Sequence, residues 1–185
     1  TKYLLNHLSM ERKKEELDKI ISSPNVILGL NLIKKLGLDK DLGLERISQV
    51  KPCSQMMGIW TMLEVDELYP FTKNELDLMS NIRKVLKLSP KNKEALYYYG
   101  LYPSIVAGEI LGIDRKEINE IYQDLPIHKR KDLAITTPQI LSLLKKEPGP
   151  FLKDLYQYLE KAVLNKSLKN EKHELEKACL LFESK

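Results

Sequence analysis

The residues in this chain best equipped to do chemistry are cations. Between Pro126 and Lys172 the sequence places ten Lys/Arg against five Asp/Glu, a net +5 in a chain whose total is only +4. Seven of these cations are candidate phosphate ligands: Arg130, Lys131, Lys145, Lys146, Lys153, Lys166 and Lys169. Several sit beside two closely spaced helix starts in "KDLAITTPQILSLLKKEPGPFLKDL" (131–155). A helix start leaves backbone N–H groups unpaired at the positive end of the dipole, and a nearby ammonium or guanidinium reinforces the pull on a phosphate. A plain helical hairpin with a solvated charged face would show the same composition.

Other chemistry finds little support. The chain has no glycine-rich phosphate loop, no G-x-S-x-G, no H-E-x-x-H and no C-x-x-C. His7, His128 and His173 are scattered, and His173 in "KHELE" reads as a solvated side chain on a charged helix. No catalytic residue and no metal ligand is therefore expected. Cys53 and Cys179 stand alone, as reduced, buried thiols do. No apolar run approaches the roughly 20 residues that span a bilayer, and the start of the chain lacks a signal-peptide core, so a cytoplasmic protein with no membrane partner is expected. The chain opens on Thr1 inside a helical pattern and reads as a piece of something longer.

The elements that must position the cations are helices, since helical period runs nearly throughout and no sustained strand alternation occurs. The expected fold is all-α, an elongated array of helices with a basic C-terminal helical subdomain. Ser9 should cap a first helix carrying Glu11 in its first turn and Leu17, Ile20 and Ile21 on its inner stripe. A second helix over about Val26 to Leu36 should stop at Gly37 in a left-handed cap. Met56, Ile59, Trp60 and Leu63 line one side of a third. Leu76, Met79, Ile82 and Leu86 form the stripe of a fourth, over about Lys73 to Leu86, interrupted by Arg83. Asp114 and Glu117 have capping-box spacing ahead of Ile118, Ile121 and Tyr122. Thr136 or Thr137 should cap a helix with Pro138 at or near its first position and Ile140, Leu141 and Leu144 inside. Gly149 should cap another that begins at Pro150 and buries Phe151, Leu152, Leu155, Leu159 and Val163. The tyrosines at 97, 98, 99 and 102 point in different directions on a helix and suit a packed junction better than a stacking platform.

At this point two stretches carry a resemblance. "SMERKKEELDKII" (9–21) resembles the S-x-E-R-x-x-x-E-L-x-K-I-L stretch in the neck of bacterial class II tRNA nucleotidyltransferases, the CCA-adding enzymes, and of related poly(A) polymerases. "KDLAITTPQILSLLKKEPGPFLKDLYQYLEKAVLNKSLKNEKHELEKA" (131–178) resembles the D-L-x-I-x-G-x-D-L … P-G-x-x-x-G-x-x-L … G-x-L-x-N-x-x-x-x-L pattern at the C-terminal end of the same enzymes. The sequence departs from that pattern at Thr137, where Gly is usual, at Gln139, where an acidic residue is usual, and at Asn165 in place of Gly.

The resemblance implies the end of a neck (1–50), a helical body (51–125) and a basic helical tail (126–185). It implies tRNA as the partner, held at its acceptor stem and elbow through the seven cations, with no DNA partner. Ser9, Glu11 and Arg12 match the neck motif in what reads as a structural role. The catalytic head of the family, with its Mg2+ and its CTP or ATP, has no counterpart in this sequence, so the piece is expected to be inactive alone and to hold no cofactor. A helical protein-interaction or oligomerisation module without RNA binding is the competing reading, and a homo-oligomer is compatible with either.

Overall fold

The computed structural model describes residues 5 and 7–183 and contains no strand among them. Among the described residues ten α-helices follow one another: α1 (Met10–Ile21), α2 (Val26–Lys35), α3 (Met56–Leu63), α4 (Lys73–Leu88), α5 (Lys93–Tyr99), α6 (Leu101–Leu111), α7 (Arg115–Gln123), α8 (Thr137–Leu144), α9 (Phe151–Leu164) and α10 (Lys172–Glu183). Short 3-10 turns occupy Ile47–Gln49 and Arg130–Asp132.

Local chemistry sets the ends of these helices. Ser9 accepts a hydrogen bond from the Arg12 amide at 3.3 Å, which caps α1 as the sequence implies. Gly37 follows α2 with φ +65°, a conformation that costs glycine nothing. Thr72 and Glu75 open α4 with a reciprocal capping box, at 2.6 Å and 3.3 Å, a T-K-N-E signal that lies ahead of the helix in the sequence. At α7 the expectation is only half met. Asp114 does cap the helix, accepting from the Lys116 amide at 2.8 Å, but the Glu117 carboxylate turns away to an ion pair with Lys91.

Two apolar cores result. The first gathers α1 to α4 with Ala95 of α5 and Val106, Ala107 and Ile110 of α6. Trp60 lies at its centre, fully buried, with the rings of Tyr69 and Phe71 at 5.3 and 5.2 Å and its indole N–H donating to Asp18 at 2.8 Å. Lys14 reaches into the same place. Its ammonium pairs with Asp18 at 3.0 Å and Glu75 at 3.4 Å and lies 5.0 Å from the centre of the Phe71 ring, which offsets the cost of covering a charge. Arg83, the interruption in the α4 stripe, is accounted for by a two-pronged contact with Asp66. The second core is built from Leu96 of α5, Ile118 of α7, and the buried faces of α8, α9 and α10. Both thiols are free and buried, Cys53 in the first core and Cys179 in the second. Burial pushes each up to about 11, so both stay protonated at neutral pH.

α5 and α6 serve both cores. Gly100, at φ +90° and ψ 170°, breaks what would otherwise be one helix, a backbone that a residue with a Cβ adopts only under strain. The tyrosines are shared out around this break. Tyr97 packs on the second core and Tyr99 on the first, while the Tyr102 hydroxyl donates to Gln55 at 2.9 Å. Replacing Trp60 by Ala should lower unfolding free energy by about 3–5 kcal/mol. Urea denaturation followed by circular dichroism measures this, and a loss below about 1 kcal/mol would contradict the central place given to this side chain.

Candidate functional site

The cations predicted from sequence fall on the second core and its surroundings, and the structure treats them unequally. Lys131, Lys145, Lys153 and Lys169 are exposed, and among the described residues none of the four pairs with an acid. Arg130 and Lys166 are paired. Lys166, in a left-handed conformation at φ +58°, bonds Asp124 beyond the end of α7 at 3.0 Å. Arg130 turns inward to Glu160 of α9, whose carboxylate is only 2% exposed and accepts from the Arg130 Nε at 2.7 Å. Lys146 lies 5.1 Å from the Phe151 ring.

Glu160 looks in the sequence like one more charge on a helix and is not among the residues predicted there, yet it organises the region. It also accepts from the Tyr98 hydroxyl of α5 at 3.2 Å. One turn earlier on α9, the Tyr156 ring lies under the Arg130 guanidinium, 4.6 Å away, and its hydroxyl meets that of Thr137 at 2.8 Å, where α8 begins. Burial, and then the Glu160 carboxylate, hold the phenols of Tyr97 and Tyr98 well above their ordinary range, so both remain neutral. The hydrogen bond to Glu160 in turn raises Arg130, which is charged at any relevant pH.

The turn that carries Arg130 and Lys131 is fixed from outside as well. Asn170 accepts from the Ala134 amide at 2.8 Å and donates to the Asp132 carbonyl at 2.7 Å, tying the segment of Lys169 to the segment of Lys131. Asp132 caps the turn by accepting from the amides of His128 at 2.8 Å and Lys129 at 3.1 Å. α8 starts at Thr137 with Pro138 second, and the Gln139 side-chain oxygen accepts from the Thr136 amide at 2.9 Å. The cap thus survives with an amide in place of the acidic residue usual in the resembling pattern. α9 begins one residue later than expected, at Phe151, with Pro150 already helical and no side chain capping it, and Phe151 and Leu152 are only partly buried. Lys145, in a left-handed conformation at φ +53°, closes α8, so Lys145, Lys146 and Lys153 cluster along the chain at the α8–α9 corner. Lys131 and Lys169 form a second group, joined through Asn170.

In the 9–21 motif, Ser9 is the α1 cap and Arg12 pairs with Glu15 at 3.0 Å and Glu16 at 3.1 Å, so both have structural work. Glu11 is held below the ordinary carboxylate range by its own backbone amide and the Ser9 hydroxyl. Among the described residues no group of three or more His, Cys, Asp or Glu is placed to hold a metal, and no helix is long and apolar enough to cross a membrane.

The fold matches that of the crystal structure of the Bacillus stearothermophilus CCA-adding enzyme in complex with CTP, with a TM-score of 0.83 at 19% identity, covering 100% of this chain and 55% of that one. Residues 101–179 match the family described as "tRNA nucleotidyltransferase domain 2 putative", and residues 1–42 match "Probable RNA and SrmB- binding site of polymerase A". The CCA-adding enzyme of Bacillus cytotoxicus is 22% identical over 201 residues, 92% of this chain and 51% of its own length. That of Anoxybacillus flavithermus is 37% identical over 87 residues, 44% of this chain and 22% of its own length. The chain is similar to the C-terminal helical part of tRNA nucleotidyltransferases: the two family models match its two ends, and CCA-adding enzymes align with it over most of its length. It spans about half the length of the curated relatives it matches.

Replacing Asn170 by Ala should cost about 1–3 kcal/mol and speed hydrogen exchange at the Ala134 amide. Unchanged exchange would mean that the clamp does not hold the turn. Asp132 supplies a pH test. Its carboxyl is held below the ordinary value of 3.8 by the His128 and Lys129 amides, so its contribution is complete above that value and is lost as pH falls through the lower folded-state value. An NMR titration should place its midpoint below 3.8, and a midpoint at or above it would contradict the cap.

Proposed function

We propose that this chain is the tRNA-holding part of a CCA-adding type of nucleotidyltransferase. It binds the acceptor stem and elbow so that a catalytic head, bringing its own metal ion and CTP or ATP, can extend the RNA 3′ end. Alone it is inactive. In this reading residues 1–50 end the neck, 51–125 form the body and 126–185 the tail, and the protein works in the cytoplasm.

The observation that carries the reading is the set of exposed cations without acidic partners, Lys131, Lys145, Lys153 and Lys169, on the segment that matches a tRNA nucleotidyltransferase domain. A protein that must accept many tRNAs reads shape and phosphate positions, not base edges, and this calls for lysines on a rigid helical frame. An interaction module without RNA binding would interleave these cations with acids, as happens at Lys116 with Glu120 and at Lys172 with Glu176.

Changing Lys131 and Lys153 together to Ala should weaken tRNA binding and lower the slope of log affinity against log salt by about one for each phosphate no longer neutralised. Fluorescence titrations at several salt concentrations measure the slope. An unchanged slope would remove these two lysines from the RNA surface.

A further inference from the structure

We infer that Arg130 is a preorganised phosphate-binding fork and that Glu160, which aims it, is a positioning residue for RNA. This rests on the RNA-binding reading above and adds to it a specific ligand geometry. The Arg130 guanidinium is held on one edge by the Glu160 carboxylate through Nε at 2.7 Å and on one face by the Tyr156 ring at 4.6 Å. Its two terminal nitrogens meet no acceptor among the described residues, and the side chain is 54% exposed.

The other ion-paired arginines are used differently. Arg83 gives both terminal nitrogens to Asp66, Arg12 gives its pair to Glu15 and Glu16, and Arg46 gives its own to Glu64 and Gln49. In each of those the fork is consumed by the protein, whereas in Arg130 the inner edge is consumed and the fork is left open. A planar fork whose rotation is already frozen matches two phosphate oxygens at once and loses little further entropy on binding them.

The aiming group is itself fixed. Glu160 is 2% exposed and also accepts from Tyr98 of α5 at 3.2 Å, so it cannot follow Arg130 outward. A buried carboxylate is a poor way to stabilise a core, since apolar residues of like volume often do as well or better. What it does supply is direction. Arg130 neighbours Lys131 in a turn that Asn170 clamps, so the fork and an unpaired ammonium are carried by one rigid piece.

The test compares the full chain with Glu160→Gln and Arg130→Lys in titrations with an unmodified tRNA transcript at several salt concentrations, after circular dichroism has checked the fold of each. Bulk electrostatics predicts that Glu160→Gln, which removes a negative charge, binds RNA more tightly. Positioning predicts the opposite sign, a roughly tenfold loss with the salt slope smaller by about one. Arg130→Lys keeps the charge but not the fork and should show a similar loss.

If Glu160→Gln fails to fold, Arg130→Lys decides the matter, supported by NMR of the Arg130 Nε–H, which should be slow to exchange in the unaltered chain and should shift when the RNA is added. Binding by the unaltered chain accompanied by unchanged or tighter binding in both variants overturns the inference alone. A weakened Arg130→Lys beside an unaffected Glu160→Gln overturns the positioning role. Absence of any salt-dependent binding by the unaltered chain overturns the RNA reading and this inference with it.

Discussion

Moving a carboxylate out of water costs several kcal/mol unless hydrogen bonds and a countercharge replace its hydration, and Glu160 is 2% exposed. Much of the second half of the molecule is arranged around this requirement. Arg130 has to return to α9, so the segment between α7 and α8 folds inward, with Ile127 and Leu133 buried on either side of the turn. Tyr98 has to reach the same carboxylate, which binds α5 to α9. Tyr156, stacked under the guanidinium, extends the network to the first residue of α8. One charge thereby fixes four segments against one another. Removing only its partner would strand it, so the arrangement tolerates replacement of the pair better than loss of half of it.

The same network explains how the two cores are joined. Composition changes at Pro126, where the basic segment begins, but packing changes at α5 and α6, whose residues enter both cores. Gly100 makes this sharing feasible by breaking the helix between Tyr99 and Leu101. The tyrosines belong to this joint: Tyr97 and Tyr98 contact each other edge-to-face at 4.9 Å, and a lysine of α4, Lys84, lies 5.5 Å from the Tyr99 ring. These contacts give Tyr97, Tyr98 and Tyr99 a part in the packing of the joint.

What could be read in the sequence was what depends on neighbours along the chain. The Ser9 and Asp114 caps, the Gly37 stop, Pro138 in the first turn of α8 and the apolar stripes follow from spacings of one to four residues, and the all-α fold follows from them. The Thr72–Glu75 box is equally local, although it is not among the caps predicted from sequence. Glu160 and Arg130 lie 30 positions apart, Lys14 and Glu75 lie 61 apart, and nothing within a few residues of any of the four announces its partner. The same limit applies to the seven candidate cations. Their sign and approximate location were legible, but which of them an acid neutralises depends on tertiary contacts such as Asp124 with Lys166.

In the proposed account the basic corner at α8–α9 and the clamped turn at 130–134 hold RNA by its phosphates, while chemistry belongs to a catalytic head. The most direct measurement is a titration of labelled, unmodified tRNA with this chain at several salt concentrations, with duplex DNA of similar length as competitor. The account predicts binding that weakens steeply as salt rises and that the DNA displaces poorly. Equal displacement by DNA, or no binding at low salt, would contradict it.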